Sequence, residues 1–80
     1  MQVRYSLTRV SNLKERVVLE LRKVERSQAW LGRKVGVSDP ALFNNYLAGR
    51  RRRPEWLLPR IAAILGLPLS ELEDDDRAAA

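Results

Sequence analysis

Residues 27–49, SQAWLGRKVGVSDPALFNNYLAG, read as two short helices joined by a tight turn, and the run Arg50-Arg51-Arg52-Arg53 follows at once. Ser27 suits an N-cap, because its hydroxyl can accept from a backbone N–H left free in the first turn. Leu31 and Val35 then recur at helical spacing, which leaves Arg33 and Lys34 to water. Gly36 predicts the stop, since glycine enters the left-handed conformation without a Cβ penalty. Asp39 is a good N-cap for the next helix, and Pro40 suits its first position, where no N–H is needed. That helix is expected over about residues 40–47, ended by Ala48-Gly49.

The flanks extend the helical pattern. Asn12 with Glu15 three positions on has the form of a capping box, and Leu13, Val17, Leu21 and Val24 then follow at helical spacing, predicting a helix from Leu13 to Val24. Beyond the arginines, Pro54 leads into Trp56, Leu57, Leu58, Ile61, Ile64 and Leu65. Pro59 holds the start of this helix near residues 56–58, because a proline deeper inside would cost ~3 kcal/mol. Gly66 closes it. Residues 68–72 predict one final turn, and the stretch from Glu73 with Asp74-Asp75-Asp76 is expected to be a disordered acidic tail. Gln2 to Leu7 alternates polar and apolar, with Val3, Tyr5 and Leu7 on one side, as a short strand or an extended arm would. The expected fold is all-α, a compact bundle of four to five short helices: an arm over 1–11, a domain over 12–72 and a tail over 73–80.

Composition limits the chemistry. Eighty residues form one small domain with no room for a large buried catalytic cavity. The chain has no cysteine and no histidine, which removes disulfides, the usual zinc ligand sets and Cys-His or Ser-His nucleophile pairs. No phosphate-binding glycine loop or metal-ligand cluster is evident, and the aspartate run reads as a solvated charge run. We therefore expect no enzyme activity, no cofactor and no small-molecule substrate. The first residues lack the apolar core of a signal peptide, and no stretch approaches the roughly 18 apolar residues of a membrane span, so a cytoplasmic protein without membrane contact is expected. The net charge of +5 hides an asymmetry: residues 1–69 carry 14 Lys/Arg against 5 Asp/Glu, or +9, and the remaining 11 carry 1 against 5, or −4. A strongly basic body suits a polyanion, since neutralised phosphates release counterions. A merely solubilising basic surface would have the same composition.

The arrangement favours the polyanion. Ser27-Gln28, Leu31-Gly32 and Val35-Gly36-Val37-Ser38, followed by Gly49, the arginines and Pro54, resemble the phage-repressor (Cro-like, XRE-type) helix-turn-helix DNA-binding family. The resemblance continues through Ile61-Ala62-Ala63-Ile64-Leu65-Gly66 and Ser70-Glu71-Leu72, covering about residues 12–72. Two departures are evident: the interval from Gly36 to Gly49 is one residue longer than the family pattern, and that from Pro54 to Gly66 is one shorter. Placing the extra residue at Asp39-Pro40 buries Phe43 and Tyr46. The other register buries Leu42 together with Asn45, and an unpaired buried amide costs ~1 to 3 kcal/mol.

In the preferred register the resemblance implies that Pro40, Ala41, Leu42, Asn44 and Asn45 face DNA bases. Asparagine can bond adenine N6 and N7 together, and Ala41 or Leu42 can meet a thymine methyl. Gln28, at a helix N-terminus, is implied to contact a phosphate or brace the recognition helix, and Arg33 and Arg50 to Arg53 to contact phosphates. Lys34 could add to them, and Arg4 and Arg9 would reach a minor groove if residues 1–11 act as an arm. Trp30 stands where the family is usually polar. Trp56, Leu67, Leu69 and Leu72 serve either as core or as a dimer surface.

The expected function is a sequence-specific regulator of double-stranded DNA, a repressor acting as a homodimer with two recognition helices about 34 Å apart. The alternative is a protein-interaction module, antitoxin-like or polymerase-binding, with DNA contact secondary and the acidic tail masking the basic body. RNA fits less well, because an A-form major groove does not admit a helix.

Overall fold

A computed structural model describes residues 12–78, and all of its regular structure is helical: α1 (Asn12–Lys23), α2 (Gln28–Val35), α3 (Pro40–Ala48), α4 (Leu57–Leu65) and α5 (Leu69–Ala78). The expectations for residues 1–11 lie outside the described residues. The local signals explain most boundaries. Ser27 Oγ accepts from the backbone N–H of Trp30 at 3.0 Å, and Asp39 Oδ1 accepts from those of Ala41 and Leu42 at 3.0 and 3.4 Å. Gly36, Gly49 and Gly66 end α2, α3 and α4 at φ of 99°, 79° and 72°. Pro59 stands third in α4, inside the first turn, where no intrahelical N–H bond is lost.

The core draws on every helix. Leu13, Val17 and Leu21 of α1 meet Leu31 and Val35 of α2, Phe43 and Leu47 of α3, Leu57, Ile61 and Ala62 of α4, and Leu72 of α5, with Val37 from the α2–α3 turn. α1 packs on α5 and α3, α4 packs on α5 and α2, and α2 packs on α3. Among the described residues, no helix is long and apolar enough to cross a membrane.

Two expectations at the helix ends are corrected. The first helix stops at Lys23, and Val24, expected on its inward face, is 54% exposed in the turn that follows. Glu25 takes the left-handed conformation there at φ 57°, and the N–H of Arg26 reaches back to the carbonyl of Leu21 at 3.0 Å. A turn with this geometry ends the helix even though no glycine marks it.

The larger correction concerns the C-terminus. In place of one turn and a disordered tail, α5 runs from Leu69 to Ala78. Leu72 is fully buried and Leu69 leans on the core, which anchors the first turns. The acidic residues beyond are held by cations from distant parts of the chain. Arg16 Nη2 meets Glu71 Oε1 at 2.8 Å and Arg16 Nη1 meets Asp75 Oδ2 at 3.2 Å, while Arg53 pairs with Asp76 and Arg77 with Asp74. Arg16 also binds Glu20 of its own helix at 3.0 Å, so one guanidinium engages three carboxylates, two of which tie α1 to α5. Its pKa is raised, first by the hydrogen bond with Glu71 and then by that with Glu20.

Candidate nucleic-acid interface

The geometry of α3 is set where it crosses α2. A Cβ on Gly32 would stand 2.8 Å from the Val37 carbonyl oxygen and 3.1 Å from Phe43 Cδ2, so only glycine lets the turn and the Phe43 ring come this close. The Val37 N–H returns to the Gly32 carbonyl at 2.8 Å, which pins the turn. With Phe43 and Leu47 buried against this crossing, the opposite side of α3 is directed outward. At 100° per residue that side carries Ala41 and Asn45, with Asn44 on the flank toward α2.

The expected register is borne out for Phe43. The second fully buried position is Leu47 rather than Tyr46, which is half-buried against the core. Pro40 and Ala41 are exposed, and Asn44 and Asn45 are half-buried. Leu42 departs from expectation: it packs along the edge of the core, because its position lies about 100° from Phe43, beside Tyr46 rather than with Asn45.

A chain of polar contacts links the neighbouring elements. Gln28 Nε2, at the start of α2, donates to Asn44 Oδ1 at 3.4 Å. Arg50 Nε donates to Asn45 Oδ1 at 3.1 Å. Gln28, Asn44, Asn45 and Arg50 therefore lie together across the start of α2, the outward face of α3 and the start of the basic loop. Each asparagine oxygen keeps a second lone pair, and each amide nitrogen can still donate. The arrangement can present paired donor and acceptor groups beside a cation.

The four arginines divide. Arg50, Arg51 and Arg52 are exposed and, with Gly49 and Arg53, line a shallow depression of about 360 Å³. The Arg53 side chain is only 15% exposed; its guanidinium donates to the Tyr46 carbonyl at 2.6 Å and pairs with Asp76. The structure thus turns Arg53 inward, holding the end of α3 against α5, and leaves the other three arginines exposed. Arg33 is exposed on α2 but lies about 140° round that helix from Gln28, so it is not brought into the group.

No protein-family model, curated protein or solved structure gives a significant match to this chain.

Other cations make contacts within the fold. Arg60 donates from Nη1 to the Val35 carbonyl at 3.0 Å, satisfying the C-terminal end of α2, and its guanidinium lies 4.6 Å from the centre of the Trp56 ring. Sequence reasoning missed this residue, because Val35 is 25 positions away and nothing local marks the contact. Trp30 packs against the core with Arg26 and Lys34 at 5.0 and 5.8 Å from its ring centre. Among the described residues, no group of carboxylates is arranged to hold a metal ion.

Proposed function

We propose that the protein is a sequence-specific double-stranded DNA-binding regulator, of the repressor kind, that reads the major groove with α3. The observation that carries this reading is the contiguity of Gln28, Asn44, Asn45 and Arg50 on one surface, next to the unpaired, exposed Arg51 and Arg52. A helix whose outward face offers asparagine amides suits adenine edges. The adjoining arginines suit backbone phosphates, which position a protein on the duplex without choosing sequence. The function needs no chemistry beyond binding, and two copies on a two-fold site would place their α3 helices in successive major grooves.

Selection of bound sequences from a random DNA pool, followed by mobility-shift titration at two salt concentrations, tests the reading. Asn45→Ala is expected to cost ~1 to 3 kcal/mol on the selected sequence and little on unrelated DNA. Arg51→Ala is expected to weaken all sequences alike and to reduce the salt slope by about 0.9. No enrichment from the pool, with neither substitution altering affinity, would overturn the proposal and favour a protein-interaction module.

A further inference from the structure

α1 has three longitudinal faces, and among the described residues only two are used. Leu13, Val17 and Leu21 are buried in the core. Arg16, Glu20 and Lys23 are tied to one another and to α5, with Lys23 Nζ 3.3 Å from Glu20 Oε2. The third face consists of Lys14, Glu15, Val18, Leu19 and Arg22, which line a shallow groove of about 450 Å³. Leu19 is 52% exposed there. Among the described residues, none of Lys14, Glu15 and Arg22 takes part in an ion pair, although every acidic residue of α5 except Glu73 does.

The pattern of this face is self-complementary. Glu15 and Arg22 lie at equal distances on either side of the midpoint between Val18 and Leu19, two turns or about 10 Å of rise from each other. We propose that this face is the interface with a second copy of the chain, α1 packing antiparallel on its counterpart about a two-fold axis between Val18 and Leu19. In such an isologous contact, if one residue meets a second on the other copy, the second also meets the first. Val18 of each copy then meets Leu19 of the other, and Glu15 of each meets Arg22 of the other, giving an apolar centre with an ion pair on either side. A parallel pairing would oppose Glu15 to Glu15 and Arg22 to Arg22, which like-charge repulsion disfavours. The other apolar cluster considered from sequence offers no continuous apolar face: Leu72 is fully buried, Leu67 and Leu69 lean on the core, and Trp56, though 41% exposed, has the Arg60 guanidinium over its ring. A contact of one helix pair is small, so the dimer belongs to the weak class of association.

Sedimentation of the full chain without DNA, from micromolar to about 1 mM, tests the interface. The native chain is expected to dimerise, and Glu15→Arg or Arg22→Glu to weaken the dimer about tenfold, since each substitution acts twice across the axis. Combining the two reverses both pairs and is expected to restore the dissociation constant to within about threefold of native. Because these side chains are not part of the core, thermal unfolding of each variant reports whether the fold is intact. A native chain that stays monomeric, or a double variant as weak as either single one, would overturn the proposal. Coverage of the groove by residues 1–11 would give the first of these results, with dimerisation appearing only on their deletion. A chain that binds DNA but stays monomeric up to about 1 mM would overturn this interface alone, whereas a dimer with no DNA affinity would overturn only the functional reading.

Discussion

Arg53 donates from Nη1 to the carbonyl oxygen of Tyr46 at 2.6 Å, so the last turn of α3 is held by a side chain seven residues further along the chain. The same guanidinium pairs with Asp76 of α5. A cation among the last carbonyls of a helix meets both a free acceptor and the negative end of the helix dipole. Arg53→Ala is therefore expected to cost about 1.5–3 kcal/mol of stability, the range for a hydrogen bond to a charged group. Arg51→Ala should remain within about 0.5 kcal/mol of native, as an exposed substitution away from such contacts does. Urea titrations of the two variants measure the difference, and equal stabilities would refute the division of the arginines.

Gly32→Ala addresses the crossing of α2 and α3. Its new Cβ would meet the Val37 carbonyl oxygen at 2.8 Å, and because the Val37 N–H is itself bonded to the Gly32 carbonyl, the turn cannot simply move away. The expected cost is about 1–3 kcal/mol, as for other overpacked sites, even though alanine favours helix. Chemical denaturation measures the cost, and amide shifts along α3 should move with it. A variant as stable as native would show the crossing to be looser than described.

Glu25→Gly is expected to stabilise the protein. Glu25 holds φ 57° in the turn after α1, a conformation that burdens residues with a Cβ. Glycine removes that burden but has more freedom to lose on folding, leaving a net gain of about 0.5–1 kcal/mol. A rise in the thermal midpoint checks this, and a fall would mean that the turn is held by something other than backbone geometry.

The Arg16 network sets an acid limb on stability. The hydrogen bond from Arg16 holds the Glu20 carboxyl below its ordinary value of 4.5, with Lys23 helping and burial opposing. A depressed carboxylate contributes stability that is present above its unfolded pKa and lost as pH falls through the lower folded value. Stability is thus expected to hold from neutrality to about pH 4.5 and then to decline. Glu20→Gln should be less stable than native at neutral pH and converge on it as pH falls through the depressed folded value, once both states of the native carboxyl are protonated. Thermal midpoints across that range decide the matter, and a constant offset between the two proteins at all pH values would contradict it.

What the sequence determined by itself is the set of helix boundaries written in local chemistry. Ser27, Asp39-Pro40, Gly36, Gly49 and Gly66 act within four or five residues of their own positions, and their signals were legible because caps and left-handed turns are local events. The inward placement of Phe43 was legible for a related reason, since one helical period and the cost of burying Asn45 select the register. The tertiary structure decided the rest. It extended α5 through the aspartates, because Arg16 supplies the charge that balances Asp75 from 59 positions away. It turned Arg53 from an external cation into the clasp between α3 and α5, and Arg60 into a cap for α2. It also moved Leu42 to the edge of the core and exposed Val24. A charge run or an apolar period states what a segment can do, but its partner is chosen by the folding of the whole chain, which brings together groups that no local window contains.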